Sequence, residues 1–253
     1  MAVIRSMTSG EPMTRRSLIG LLGGAAALLL GGCGLIKSYA PFRYRLTVEV
    51  ETPAGLRSGS SVIEVTAGEV RSTLGGAGVD VRGEAAAVDL PGGQTLFALL
   101  RYEDHGGWAG DAMFDVVPYP SDKSIPIDDR FGAHVQAVIA DRTLHVVPRT
   151  TKNVSDKDVS AYPMLVRFGD IRDPKSVALV NPDDLAASFG AGYRLRRMTV
   201  QRTDDPVTVG IEKRLGWLAT QRGGLIKSLP GRSVNDMPFG ADLNEGDFET
   251  GER

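Results

Sequence analysis

The sequence predicts an α+β fold: an N-terminal antiparallel β-sheet made of hairpins, then a mixed α/β C-terminal half, together one compact domain over residues 42–228. Three observations predict it. Apolar and polar residues alternate strictly from Arg43 to Glu51, the period of a half-buried strand. Pro91-Gly92-Gly93 separates two apolar runs, as in a hairpin. Beyond Asp128 the apolar spacing becomes helical, and Asp-Pro or Asn-Pro pairs recur where helices would open.

In chain order, Tyr44, Leu46, Val48 and Val50 share the buried face of the first strand, with Arg43, Arg45, Thr47, Glu49 and Glu51 opposite. A loop over residues 53–59 leads to a returning strand over 61–65, and the glycine-rich stretch 68–82 reads as a connection. Residues 86–90 and 94–100 are the hairpin arms, and the unbroken apolar run from Leu96 to Leu100 fits a strand buried on both faces. Residues 112–117 read as a further short strand. Phe131, Val135, Val138 and Ile139 form a helical stripe starting at Asp128-Asp129. Residues 163–168 and 193–202 are strands. Asp173-Pro174, Asn181-Pro182 and Asp205-Pro206 each set a capping side chain before a proline suited to the first helical position. The last predicts the best helix, with Val207, Ile211, Leu215 and Leu218 in one stripe and Gly223-Gly224 as its stop. Residues 229–253 have little periodicity and end acidic, the pattern of a poorly ordered tail. A division into two subdomains near residues 120–130 fits the same pattern.

Hydrophobic residues at 42% and charged residues at 24% are the composition of a folded globular domain. A net charge of −2 lacks the basic footprint that phosphate contacts require, so a nucleic-acid partner is not expected. The single cysteine, Cys33, has no partner for an internal disulfide.

The N-terminus carries the strongest address. Arg15 and Arg16 precede an uncharged stretch from Leu18 to Leu30, then small residues, the order of a secretory signal peptide over residues 1–32. That stretch is short of the about 20 residues a membrane span needs. Leu30-Gly31-Gly32-Cys33 resembles the lipobox of bacterial lipoprotein precursors. The resemblance implies cleavage before Cys33, acylation of its thiol and a tether over residues 33–41, placing the chain on a bacterial membrane facing the periplasm. An uncleaved anchor over residues 17–36 is the alternative. Thr14-Arg15-Arg16-Ser17-Leu18-Ile19 also resembles a twin-arginine export signal, although Leu18 and Gly20 stand where that family prefers Phe and Lys. Glu11 and the length before Arg15 make Met13 a plausible start beside Met1 and Met7. Gly34 follows the cysteine where enterobacterial lipoproteins kept at the inner membrane carry Asp, which leans towards the outer membrane. Residues 162–168, Asp183-Asp184-Leu185 and residues 206–215 resemble an uncharacterised group of proteobacterial exported proteins, a likeness that implies no activity.

Chemistry is harder to find. No Gly-x-Ser-x-Gly elbow, His-Glu-x-x-His or phosphate-binding glycine loop is present, and an acylated Cys33 leaves no thiol nucleophile. No cofactor motif is seen. Residues 103–111 gather Glu103, Asp104, His105, Trp108 and Asp111 in a glycine-rich loop. Asp104, His105 and Asp111 could bind a metal or place an acid/base pair, and Trp108 could stack a sugar. A polar turn with Trp108 folded over the sheet edge explains the same residues. His134 and His145 read as ordinary core-edge or surface histidines, and Asp183-Asp184 and Asp204-Asp205 as helix-opening charges. Arg194, Arg196, Arg197 and Arg202 make a basic strand, read as a solvated edge strand or a surface for an anionic headgroup. Residues 242–247 echo a calcium loop, but the glycine is one place early. The expectation is a lipid-anchored envelope binding or assembly protein with a possible envelope partner. The alternatives are an anchored hydrolase using Asp104, His105 and Asp111, and a structural subunit docking through residues 193–202.

Overall fold

The computed structural model describes residues 36–70, 76–104, 106–152, 156–226 and 239–251. Cys33, the leader and His105 lie outside them. The chain divides into two compact units. Of the first, residues 1–37 and 69–76, only Ile36, Lys37, Glu69, Val70 and Gly76 are described. The second, Ser38–Gly68 with Ala77–Arg253, is an α+β body with mostly antiparallel sheets and few helices.

Short β1 (Ile36–Ser38) precedes β2 (Phe42–Thr52), which has the predicted alternation: Tyr44, Leu46, Val48 and Val50 are all fully buried. The loop expected over 53–59 shrinks to Pro53-Ala54, with Thr52 opposite Gly55, because Gly55 takes φ +96° and the Thr52 hydroxyl donates to its carbonyl at 2.7 Å. The return strand β3 (Gly55–Val70) is correspondingly longer than predicted. The stretch read as a connection supplies β4 (Ala77–Glu84), followed by the predicted hairpin of β5 (Ala86–Leu90) and β6 (Gln94–Ala98) across Pro91-Gly-Gly93.

Of residues 112–117, expected as a strand, 112–116 belong to helix α1 (Trp108–Val116) and Val117 is its C-cap. Its buried residues Trp108, Ala109, Ala112 and Met113 follow helical spacing, and Asp111 in the first turn suits the helix N-terminus. Helix α2 (Arg130–Ala140) carries the predicted stripe, with Val135 and Val138 fully buried. Short strands β7 (His145–Val146), β8 (Thr150–Lys152) and β9 (Asp158–Ser160) follow, then β10 (Leu165–Phe168) and β11 (Val177–Leu179). Asp173 caps only a single 3-10 turn, and the cap of α3 (Leu185–Phe189) is Asp184 rather than Asn181.

Strand β12 (Arg194–Thr203) is not an edge strand. It lies between β2 and β7 in the order β13-β4-β3-β2-β12-β7, where β13 is Glu249–Thr250. Its arginines face acids on β2: Arg197 contacts Glu49 at 2.9 Å and Arg194 contacts Glu51 at 2.5 Å. A second sheet runs β11-β10-β6-β5. One apolar cluster joins the buried faces of β2, β5, β6 and β12 to α1, and another lies on the far face of β6, so Leu96 to Leu100 is buried on both sides as expected. Gly59 marks the close approach of β3 and β5: a Cβ there would sit 1.9 Å from the Ala87 carbonyl oxygen.

The helix expected from Pro206 does not form. Val207, Thr208 and Val209 are a β-branched run, and Gly210 takes φ +116°, outside helical space. Only 3-10 turns at Ile211–Lys213 and Leu218–Thr220 appear, although Ile211, Leu215 and Leu218 are buried as the stripe implied. Residues 239–251, assigned to the poorly ordered tail, instead pack: Leu243 and Phe248 are fully buried and β13 pairs with β4. Leu243 and Phe248 stand five positions apart, a spacing that fits neither the strand nor the helix period. Among the described residues no helix is long and apolar enough to cross a membrane.

Candidate functional site

Among the described residues of the larger unit is a cavity of about 650 Å³, within the size range of small-molecule sites, at the corner where the chain leaves the first sheet for the second. Strand β4 ends at Gly83-Glu84, and Ala85 hands on to β5 while its N–H donates to Phe248 O at 2.8 Å. Strand β13 brings Glu249 opposite Glu84 and Thr250 opposite Gly83. The remaining wall is an extended strap, residues 204–210, which leaves β12 and crosses to the 3-10 turn at Ile211.

Each end of the strap is fixed by a polar contact. Asp205 accepts from Arg45 at 2.5 Å and from the Thr203 hydroxyl at 2.8 Å. Thr208 exchanges bonds with Val62 of β3: its N–H donates to Val62 O at 3.0 Å, and its hydroxyl accepts from Val62 N–H at 2.8 Å. Buried Glu84 accepts from the N–H groups of Gly210 and, at 3.0 Å, Ile211.

The cavity has two charged sides. Arg43 and Arg82 line it and share Glu64, at 2.7 and 3.6 Å. Glu84, Glu212 and Glu249 line it too, and each offers a carboxylate oxygen within 4.8 Å of the others, a set that could hold a cation. Burial pushes the Glu84 carboxyl above its ordinary value; the Ile211 and Gly210 N–H groups oppose this, and the charges of Glu212 and Glu249 reinforce it. Val207, Val209 and Ala219 add apolar lining.

None of the three glutamates stands out in the sequence, because Glu84, Glu212 and Glu249 are brought together only by strand pairing and the strap. The one local sign was the unfavourable placement of Glu84 and Glu249 as like charges directly opposite, visible only once the register is known.

The candidate loop over residues 103–111 looks different. Trp108 is fully buried as the first residue of α1, and its Nε1–H donates to Ala161 O at 3.0 Å, so it presents no ring face to a sugar. It is interior core rather than a cover at a sheet edge. Asp104 is exposed in the loop. Asp111, in the first turn of α1, bears on the phenols of Tyr44 and Tyr102: burial first and its charge second raise the Tyr44 pKa. Tyr44 donates to Ala109 O at 2.7 Å and Tyr102 to Asp115 at 2.7 Å, contacts that hold α1 to β2 and to the segment after β6. The approach of Asp104, His105 and Asp111 to one another involves His105, outside the described residues.

The remaining candidates have structural partners. Buried His134 lies 2.8 Å from Val117 O between the rings of Phe114 and Tyr119, and His145 lies 3.0 Å from Asp141. Asp184 caps α3, whereas Asp183 accepts from Nε and Nη2 of Arg149 at 2.8 and 2.6 Å. Asp204 meets Arg142 at 3.0 Å instead of opening a helix. Asn244 and Asp247 form a reciprocal capping box around a 3-10 turn, which accounts for the calcium-like spacing. No protein-family model, no curated protein and no solved structure matches the chain.

Proposed function

We propose that the chain is a non-catalytic binding protein, exported and held by lipid on Cys33 at a bacterial membrane facing the periplasm, and that its site is the cavity beside Glu84. The cavity is the observation that carries the binding reading: about 650 Å³ is the size of a small-molecule site, with apolar lining and charged groups of both signs at its walls. The anchor rests on the Leu30-Gly31-Gly32-Cys33 motif behind its basic and apolar leader. A local ligand or partner in the envelope suits an anchored binder, and the outer membrane is the favoured location.

The test is to purify the chain from its own membranes in mild detergent, denature it and identify what is released. Ala219 is exposed and lines the cavity, so Ala219→Trp should fill the space without entering the core. The wild type should release about one small molecule per chain and the variant at least about tenfold less. Nothing released by the wild type, or equal release from both, would overturn the cavity as the site.

A further inference from the structure

We propose that the 204–210 strap is a movable wall of the cavity, latched shut by Glu84. The inference rests on the cavity being the binding site and concerns how that site changes width.

Three features make the strap the part of the cavity that can move alone. First, it has no regular hydrogen-bonded structure, and none of its side chains is buried: Val209 is 80% exposed, and Asp204, Asp205 and Pro206 are exposed. Segments that bury little apolar surface open at a small fraction of the global unfolding free energy. Second, both flanks are fixed. Strand β12 is registered on β2 up to Thr203, and Ile211 is buried among Leu215, Leu218 and Phe248. Third, Gly210 sits at φ +116° between strap and turn, where a residue without Cβ absorbs backbone rotation. Opening therefore breaks polar contacts at Asp205, Thr208 and Glu84 and leaves both apolar clusters intact.

Among those contacts Glu84 is the latch. Its carboxylate is buried, stands on β4 rather than on the strap, and directs one oxygen at each of two successive N–H groups where the strap ends. The Asp205 contact with Arg45 is solvent-exposed and correspondingly weak. Bonds to a buried charged acceptor are stronger. With the latch closed, residues 206–210 stand as one wall facing Arg82 and Thr250; with it open, that wall swings away.

Amide hydrogen exchange resolved by residue on the full chain tests this. Glu84→Ala removes the acceptor of Gly210 and Ile211, so faster exchange at those two amides is trivial. The informative amide is Thr208, whose bond to Val62 the substitution leaves in place. If the strap moves as a unit, the Thr208 amide should exchange about tenfold faster in the variant, while amides of β2 and β12 keep their protection. An unchanged Thr208 would make Glu84 a local cap and overturn the proposal. If Glu84→Ala loses protection throughout, Thr208→Val decides. It removes the acceptor for Val62 N–H, and Gly210 and Ile211 should then exchange several-fold faster; an effect confined to Val62 and Thr208 overturns the strap as a unit. No ligand is needed, so an empty wild-type cavity sinks the binding reading alone, and a rigid strap sinks this proposal alone.

Discussion

Replacing Trp108 by Ala separates a structural loop from a functional one. Trp108 is fully buried within the apolar cluster that joins α1 to both sheets, and its indole N–H is bonded to Ala161 O at 3.0 Å. Removing a buried Trp side chain costs about 3–5 kcal/mol through lost transfer energy and the cavity left behind. The unpaired Ala161 carbonyl adds about 1 kcal/mol. The expected total, roughly 4–6 kcal/mol, is a large part of the about 5–15 kcal/mol that holds a typical domain together. At about 2–4 °C per kcal/mol for a chain of this size, Tm should fall by roughly 10–20 °C. Trp108→Phe, which keeps most of the packing but not the N–H, should lose about 1–3 kcal/mol. Urea unfolding followed by far-ultraviolet circular dichroism measures both, and Trp217, the other of the chain's two tryptophans, remains as a fluorescent reporter. A Trp108→Ala midpoint within about 1 kcal/mol of wild type would refute the placement of α1 and reopen the 103–111 loop as an exposed site.

Two further outcomes follow from the same packing and charges. Leu215 is fully buried against the far face of β6 although no long helix carries it, so Leu215→Ala should cost about 2–5 kcal/mol while exposed Lys213→Ala costs under about 0.5; equal denaturation midpoints would contradict the burial. Glu84 is held above its ordinary value of 4.5 by burial and by Glu212 and Glu249, with Arg43 and Arg82 on the other wall turned to Glu64. The folded chain thus holds that proton more tightly than the unfolded chain. Its stabilisation is full below the ordinary glutamate range and is lost as pH rises through the raised folded value. Urea midpoints should therefore fall less steeply with pH above 4.5 in Glu84→Gln than in wild type, and identical slopes would contradict the assignment.

What the sequence made legible were features encoded by neighbours in the chain. The alternation of Tyr44 to Val50 and the Pro91-Gly92-Gly93 turn each carry their own geometry, and both strands and turn stand where they were expected. Residues 112–117 are ambiguous in the sequence because a stretch with Met, Phe and Val fits either period, and Trp108 and Ala109, which complete the helical face, lie in the glycine-rich segment before it. The proline after Asp205 suggested a helix start, but Gly210 at positive φ and the β-branched run before it outweigh that signal. The interior position of β12 is invisible in the sequence because its neighbours, β2 and β7, are set by long-range pairing; the basic strand that reads as a solvated edge or a headgroup surface instead sets Arg194 and Arg197 against Glu51 and Glu49 across the register. The cavity shares that character, since Glu84 meets its strap and Glu249 only after β4, β12 and β13 have assembled.

Native mass spectrometry of the chain extracted from its membranes puts the anchored-binder account to the most direct test, because one spectrum reads both the covalent and the non-covalent mass. The account predicts a chain beginning at Cys33, heavier than its sequence by the mass of attached lipid, and carrying one small molecule that Ala219→Trp fails to retain. An unmodified chain that retains its leader and has no bound mass would contradict it.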